Sequence, residues 1–307
     1  MNTSLDLSIV IVNYNTKKIT LDCIDSVYKN TKDINYEIIL VENSSDDPIL
    51  LKDIKKDGKK INLIVSKENL GFAAGNNSGI KIAKGRYVLL LNSDTLVTSN
   101  VLAEMVSWMD ENPKVGISSC ALKNKDGSLQ GTGGYFPTLI RVFSWMTIQD
   151  FPFVDLFIKP FHPTKEKSFS KNDGFYTKER ELDWVTGAFF LIRKEVIDQI
   201  GLIDEEYFMY TEETDFCFRA RQKGWRVIYN PRWSIIHFGG ASSKGSRFSV
   251  LSEYKNVKLF YKKHYPKWQY PLVRLFLKIG ALGRIVVLGT IRGSENIKIY
   301  AEAFRTA

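Results

Sequence analysis

The chain has 307 residues, 44% apolar and 25% charged, with a net charge of +9. This composition excludes a disordered tail, a collagen and a disulfide scaffold, and at about 150 residues per domain it allows two units or one large α/β domain with an appendage. Such a length can bury a substantial core. Cys23, Cys120 and Cys217 are odd in number and far apart, so they point to a reducing compartment without structural pairing and offer no metal-type spacing.

The N-terminus, Met1 to Asp6, has neither a basic stretch nor a cleavage site, and no signal peptide is expected. No run of 18 uncharged apolar residues predicts a spanning helix. Leu7–Val12 is an unbroken apolar run, as in a strand buried on both faces. Thr16 is placed to cap a helix carrying Ile19, Cys23, Ile24 and Val27. Strands are predicted at Tyr36–Val41, Ile61–Val65 and Tyr87–Leu91, and helices at Phe72–Ala83 and Val101–Met109. The alternation implies a mainly parallel, Rossmann-like α/β sheet with helices on both faces. In such sheets ligands bind at the carboxyl ends of the strands. There the chain places Asn13-Tyr14-Asn15, Glu42-Asn43-Ser44-Ser45-Asp46 and Asn92-Ser93-Asp94.

Residues 122–182, with Gly131, Gly133, Gly134 and two Phe-Pro pairs, show no clear period. They read as a hairpin and a long irregular excursion of the lid or binding-loop kind. A strand at Trp184–Ile192, a helix at Thr211–Lys223 and strands at Trp225–Tyr229 and Ser234–Phe238 follow. Basicity concentrates at the end: Leu251 to Ala307 holds 11 basic and 3 acidic residues, whereas the first 250 hold 32 and 31. This divides the chain into a near-neutral body, 1–250, and a helical basic region, 251–307. On a helical wheel Arg274, Lys278, Arg284 and Arg292 fall within an arc of about 120°. Leu275, Phe276, Ile279, Leu282, Ile285, Val286 and Leu288 fill much of the rest. That pattern predicts an interfacial helix on an anionic membrane surface, the alternative being a helix packed on the body with a solvated basic edge. Gly280 and Gly283 weaken it and could break it in two. No nucleic-acid-binding motif accompanies the charge.

Two acidic sites carry candidate chemistry. Asp94, in the turn after a buried strand, can hold Mg²⁺ or Mn²⁺ together with substrate phosphates, or simply cap a turn. Glu212, Glu213 and Asp215 stand in the first turn of a helix, where acids complement the dipole. Following the apolar Phe208-Met209-Tyr210, a carboxylate there could also serve as a general base. Asp215 is spaced to pair with Arg219. His237 ends a short strand. Gly71, Gly75 and Gly79 match neither a Rossmann fingerprint nor a P-loop, though they could let a diphosphate approach a helix N-terminus. No G-x-S-x-G is present.

Taken in order, Ser8-Ile9-Val10-Ile11-Val12-Asn13-Tyr14-Asn15, Val41-Glu42-Asn43-Ser44-Ser45-Asp46-Asp47, Asn69-Leu70-Gly71-Phe72-Ala73-Ala74-Gly75-Asn76-Asn77, Leu91-Asn92-Ser93-Asp94-Thr95, Trp184-Val185-Thr186-Gly187-Ala188, Tyr210-Thr211-Glu212-Glu213-Thr214-Asp215 and His237 resemble family 2 glycosyltransferases of the GT-A fold, in the rhamnosyltransferase-like branch. The resemblance covers roughly residues 6–240. It implies that Glu42, where the family usually has Asp, accepts the N3–H of uracil or thymine. Asn13, Asn15, Asn43, Gly71, Asn77, Asn92 and Ser93 would lie along the donor nucleotide. Asp94 matches the last acid of the Asp-x-Asp metal motif, whose first position is here Asn92, and His237 matches a metal or diphosphate ligand. Glu213, where Asp is commoner, matches the catalytic base. The resemblance also implies that Trp184, Gly187, Ala188 and Glu212 would line the sugar and acceptor pocket.

The resemblance further implies an inverting transfer with a divalent cation, from a dTDP- or UDP-sugar, dTDP-L-rhamnose foremost, to a polyprenyl-diphosphate-linked saccharide. Its place would be the cytoplasm, at the inner face of the cell membrane, in cell-surface polysaccharide synthesis. A sugar-phosphate nucleotidyltransferase would need a Gly-rich, Arg-containing loop after the first strand, which Asn13-Tyr14-Asn15-Thr16 does not supply. Asn92 and Glu213 keep a non-catalytic, sugar-nucleotide-binding subunit as the other alternative. The oligomeric state stays open, a homo-oligomer included.

Overall fold

The structure is a computed structural model that describes residues 5–54, 61–149, 151, 153–163, 174–240, 246–292 and 294–307, the side chains at 246 and 288–292 excepted. The first four residues, part of the 122–182 excursion, and the side chains of Leu288 and Arg292 lie outside it. In chain order the strands are β1 (Leu7–Asn13), β2 (Tyr36–Glu42), β3 (Ile61–Val65), β4 (Tyr87–Leu91), β5 (Thr95–Leu96), β6 (Val115–Lys123), β7 (Gly133–Gly134), β8 (Arg180–Glu181), β9 (Trp184–Val185), β10 (Phe189–Arg193) and β11 (Arg226–His237). The helices are α1 (Lys17–Asn30), α2 (Leu51–Ile54), α3 (Gly71–Ile80), α4 (Val101–Glu111), α5 (Leu139–Thr147), α6 (Val154–Phe157), α7 (Lys194–Ile200), α8 (Glu212–Gln222), α9 (Ser246–His264), α10 (Gln269–Arg292) and α11 (Ser294–Thr306). Contacts divide the chain into one unit of Met1–Thr132 with Tyr176–Ser242 and another of Gly133–Phe175 with Ser243–Ala307. Much of the 122–182 excursion therefore groups with the C-terminal region.

The first unit is built on a sheet of order β3-β2-β1-β4-β10-β6-β11-β5, with β8 also on β11. The pairs β3–β2, β2–β1, β1–β4 and β6–β11 are parallel. Strand β10 runs antiparallel to both of its neighbours. Alternation along β1 assigns its two faces. Leu7, Ile9 and Ile11 join Cys23, Ile24 and Val27 of α1 and Leu102, Met105 and Met109 of α4 in one core cluster. The other face receives α3 at very short range. A Cβ on Gly79 would sit 2.4 Å from Val10 Cγ1, and one on Gly75 3.1 Å from Val12 Cγ1. The glycine spacing is thus accounted for by packing of α3 on β1. The three cysteines are buried free thiols, and burial raises the Cys23 thiol to about 12.

Several expectations are revised. Thr16 stands at the N-cap of α1, but its side chain makes no capping bond and instead donates to Asn13 Oδ1 at 3.0 Å. The single strand expected at Trp184–Ile192 is two, β9 and β10. They are separated where Ala188 O accepts from Asn92 N. The two strands expected across Trp225–Phe238 are one, β11, with an irregularity between Asn230 and Ser234. Proline is tolerated at such a point because a ladder bond is already missing.

The second unit is helical among its described residues apart from β7. Helix α10 runs unbroken through Gly280 and Gly283. A Cβ on Gly280 would lie 2.4 Å from Met146 Sδ, so the glycine lets α10 close on α5. Phe143 and Phe276 meet edge-on, with centroids 5.2 Å apart. The basic arc expected to face lipid is largely engaged inside this unit. Arg284 donates to Trp145 O at 3.1 Å, Arg274 to Ala307 O at 2.8 Å, and Lys278 lies over the Phe304 ring. A helical wheel groups like residues but does not say which sector packs. Here α5 and α11 take the basic sector.

Candidate functional site

The ends of β1, β2 and β4 are tied by one polar network. Asn13, fully buried, donates to Glu42 Oε2 at 2.5 Å and to Ser45 Oγ at 3.0 Å, and its carbonyl accepts from Thr16 and Thr20. Thr16 Oγ1 lies 3.1 Å from Ser93 Oγ, which brings in the turn after β4. Glu42 is also fully buried. Ser45 N donates to its Oε1 and Ile49 N to its Oε2, each at 2.9 Å. Its carboxylate is therefore turned inward to shape residues 43–49. Asn15, in the left-handed region at φ 56°, lies on the exposed rim and exchanges two hydrogen bonds with Asp46.

Asn43 reaches the next loop, donating to Asn69 Oδ1 at 3.0 Å and accepting from Leu70 N. Gly71 has φ +79°, and a Cβ there would lie 2.4 Å from Phe208 O. Phe72 N donates to that same carbonyl at 2.8 Å. A Cβ on Gly187 would sit 2.8 Å from Phe72 Cζ. Gly71 and Gly187 thus let the start of α3 dock on the segment before α8 and on the β9–β10 connection. Asn77 is used elsewhere. It donates to Ile203 O and Glu205 Oε1 and accepts from Ile203 N, which pins the loop after α7.

Asp94 and His237 are brought together by a two-residue strand of the sheet. Strand β5 pairs antiparallel with β11 in the register Thr95 to His237, and Phe238 N donates to Asp94 O at 2.9 Å. The side chains follow the backbone: His237 Nε2 lies 3.3 Å from Asp94 Oδ1, and both are largely buried. Gln130, which the sequence did not single out, sets the ring. Its Nε2 donates to His237 O and to Asn124 Oδ1, both at 2.7 Å, so the amide oxygen is the atom 2.7 Å from His237 Nδ1. An amide oxygen can only accept, so Nδ1 carries the proton. In the neutral ring this leaves the Nε2 lone pair directed at a carboxylate oxygen, with no hydrogen bond made there. Such a pair repels unless a cation or a second ring proton intervenes. Buried N and O donors converging in this way, with the other ring nitrogen tied back, suit a Mn²⁺ or Mg²⁺ ion that shares its remaining positions with substrate oxygens and water. Among the described residues no cluster of three His, Cys, Asp or Glu side chains forms.

Helix α8 opens abruptly. Tyr210 and Thr211 are consecutive non-glycine residues at φ 70° and 73°. Left-handed backbone of this kind costs on the order of 1–3 kcal/mol per residue and is usual where function holds it in place. The bend leads directly into Glu212, which is almost fully buried, and Glu213, which is half-buried. Burial and the neighbouring Glu213 charge push the Glu212 carboxyl well above its usual range. Asp215 serves the scaffold: it accepts from Arg219 Nε at 2.8 Å, and Arg219 holds the carbonyls of Ile200 and Leu202.

Trp184 and Ala188 are buried in the same unit, and Ala188 O holds the start of the Asn92–Asp94 turn. The structure thus joins Asp94 to His237, Asn13 to Glu42, and Asn43 to Gly71. It sets Asn77 to a different task. Gln130 escaped notice because it lies in a stretch without periodicity, and a lone Gln carries no chemical signature.

Comparison with known proteins identifies the family. Residues 8–201 match the family Glycosyl transferase family 2. The chain is 26% identical over 216 residues to Rhamnosyltransferase WbbL of Escherichia coli K12, spanning 68% of this chain and 75% of that protein. It is 23% identical over 217 residues to the N-acetylglucosaminyl-diphospho-decaprenol L-rhamnosyltransferase of Mycobacterium tuberculosis H37Rv, spanning 69% and 67%. Among solved structures it is similar to the mannosyltransferase PcManGT of Pyrobaculum calidifontis in complex with GDP-Man and Mn²⁺. The TM-score is 0.56 at 13% identity, over 98% of this chain and 80% of that one. GalNAc-T7 with UDP, GalNAc and Mn²⁺ gives 0.61 at 15%, over 99% and 56%. At these identities the structural likeness speaks to the fold alone. The family match spans more than half of the chain, and the protein belongs to glycosyl transferase family 2.

Proposed function

We propose that this family 2 glycosyltransferase is an inverting enzyme that moves L-rhamnose from dTDP-L-rhamnose to a hydroxyl of a saccharide carried on a polyprenyl diphosphate. It would act at the inner face of the cell membrane, in cell-surface polysaccharide synthesis. The observation that carries a transfer reaction is the pairing of Asp94 with His237 at the strand ends, in a unit that also holds the buried Glu212 and the half-buried Glu213. Rhamnose and the lipid-linked acceptor are supported by what the rhamnosyltransferase relatives act on.

Asp94 and His237 would hold the divalent cation, which when bound neutralises charge on the leaving diphosphate. The protein's own part is proton handling and alignment. The acceptor oxygen bonds to the anomeric carbon opposite the departing diphosphate, and its proton passes to a Glu213 oxygen. The electron pair of the broken carbon–oxygen bond leaves on the nucleoside diphosphate. A proton on Glu212 leaves the pair's single negative charge to Glu213, the state a general base needs. Asn13, Asn43 and the glycine contacts hold the strand-end loops in place beforehand.

The test is release of nucleoside diphosphate from dTDP-rhamnose, UDP-glucose, UDP-galactose and UDP-N-acetylglucosamine, with Mn²⁺, Mg²⁺ or EDTA, over a series of lipid-linked saccharides. Metal-dependent turnover of dTDP-rhamnose that is lost in Glu213→Gln is the expected result. Turnover of a UDP-hexose alone would overturn the donor assignment. Tight nucleotide binding with no turnover of any donor over the whole series would favour a non-catalytic binding subunit.

A further inference from the structure

Helix α10 carries a line of apolar side chains that its own unit leaves uncovered. Leu272, Leu275, Ile279, Leu282 and Val286 are between 37% and 66% exposed, whereas Val273, Leu277 and Ala281 are fully buried. At 100° per residue the five exposed positions fall within an arc of about 80°, across from the buried ones. Trp268, 64% exposed in the turn before the helix, extends the line by one turn. Isolated exposed leucines are ordinary, but an unbroken line over several turns marks a surface that meets something.

Charge decides what that is. Residues 254–294 contain nine Lys and Arg and no Asp or Glu. Lys262, Lys263 and Lys267 are exposed around Trp268 at the head of the line. The spacing 272, 275, 279, 282, 286 would also suit a two-stranded coiled coil, with Ile279 and Val286 at one core position and Leu275 and Leu282 at the other. Two copies joined this way would bring two acid-free basic segments together with no opposite charge at the flanking positions. The line also spans only about two heptads, fewer than a coiled coil ordinarily sustains. An anionic lipid surface supplies the missing negative charge. Tryptophan favours the headgroup level, leucines the acyl boundary, and lysines the phosphates. Among the described residues no helix is long and apolar enough to cross a membrane.

We infer that α10 and the turn before it form a membrane-docking surface, lying flat in the interface of an anionic bilayer. The line from Trp268 to Val286 is submerged, over about 27 Å, and the three lysines contact headgroup phosphates. Membrane contact thereby rests on the apolar sector of the helix, not on its basic arc, and it is independent of which sugar is transferred.

Flotation of the full chain with phosphatidylcholine vesicles, with and without phosphatidylglycerol, tests this without donor or acceptor. Binding to the phosphatidylglycerol vesicles, weakening with salt, is expected. So is quenching of tryptophan emission by brominated lipid, diminished in Trp268→Phe. The double variant Leu275→Ser/Leu282→Ser should lower partitioning at least about tenfold with an unchanged melting temperature, since both side chains are exposed. Should that variant unfold, Trp268→Ser, outside the helix, takes its place with the same expectation. Wild-type protein that ignores phosphatidylglycerol vesicles, or partitioning untouched by these changes, overturns the inference. A solution dimer seen by sedimentation velocity, dissolved by the double variant and without vesicle binding, would give the line to a second copy instead.

Discussion

Replacing Gln130 by leucine should weaken metal binding more than a purely structural change could. The side chain makes three short contacts, with His237 O, Asn124 Oδ1 and His237 Nδ1. Leucine is close in volume but makes none of them and leaves the Nδ1 proton buried without an acceptor. At about 1 kcal/mol for each of the three lost bonds, plus about 1–3 kcal/mol for the unsatisfied donor, stability should fall by about 4–6 kcal/mol. The larger consequence is at the other nitrogen. With Nδ1 released, the ring can turn or move its proton to Nε2, and the lone pair facing Asp94 is lost. Removing a partner of this kind typically costs 10–100-fold in metal affinity. Calorimetric titration of Mn²⁺ into protein with dTDP or UDP, well below the variant's melting temperature, reads that loss directly. Gln130→Glu is the control. It keeps an acceptor for Nδ1 and drops both donated bonds, so it should be destabilised while holding Mn²⁺ near the wild-type affinity. A folded Gln130→Leu that binds Mn²⁺ within twofold of wild type would refute the reasoning.

Other substitutions probe the remaining parts. Glu213→Gln should lower turnover by about 10²–10⁴-fold, with nucleoside diphosphate affinity unchanged by titration. Glu212 holds its proton in the folded chain above the ordinary value of 4.5, where the unfolded chain releases it. The folded state then binds more protons, and stability falls as pH climbs from there through the raised value. Glu212→Gln removes that decline, so melting temperatures against pH should run flatter in the variant. Gly79→Ala would force a methyl into Val10 at the α3–β1 contact and should cost about 1–3 kcal/mol in urea unfolding.

What was legible in the sequence follows from how local each signal is. Strands β1, β2 and β4 show as apolar runs because most of their residues are buried, and no neighbour has to be known; β3, at the sheet edge and only half-buried, shows by its apolar residues alone. Strand β6 contains Gly116-Ile117-Ser118-Ser119-Cys120, small and partly polar, yet Ser118 and Ser119 are fully buried between β10 and β11. Its strand character comes from partners distant in sequence. Helix α5 was harder to see for another reason: its apolar residues do keep a helical spacing, but it has only 9 residues and lies inside a stretch that otherwise shows no period. The break expected at Asn230-Pro231 is a bulge that the parallel partner β6 spans. Candidate site residues were legible as an ordered set of motifs, but their contacts were not. A two-residue strand, β5, is what sets Asp94 beside His237, and nothing local in Thr95-Leu96 announces it.

The inward-turned polar groups bear on how the strand ends operate. Glu42, Asn13, Asn43 and Asn77 are buried and hydrogen-bonded almost entirely to other parts of the same unit. Each joins segments that meet only in the folded chain: β1 with β2, the loop after β2 with the start of α3, and α3 with the loop after α7. A buried polar group satisfied in this way is costly to disturb, because its removal strands a partner. Rigid loops follow, and with them the pre-set positions that a transfer reaction needs from its scaffold. The glycines contribute by letting backbones approach: Gly71 on Phe208, Gly187 on Phe72, Gly79 on Val10. Against that framework Tyr210 and Thr211 are the strained members, and Phe208, two residues before them, is held by Phe72 N. The bend that presents Glu212 and Glu213 is therefore anchored at its root by the same loop that Asn43 ties to β2. A change at Asn43 should consequently be felt at Glu213, although the two are far apart in the chain.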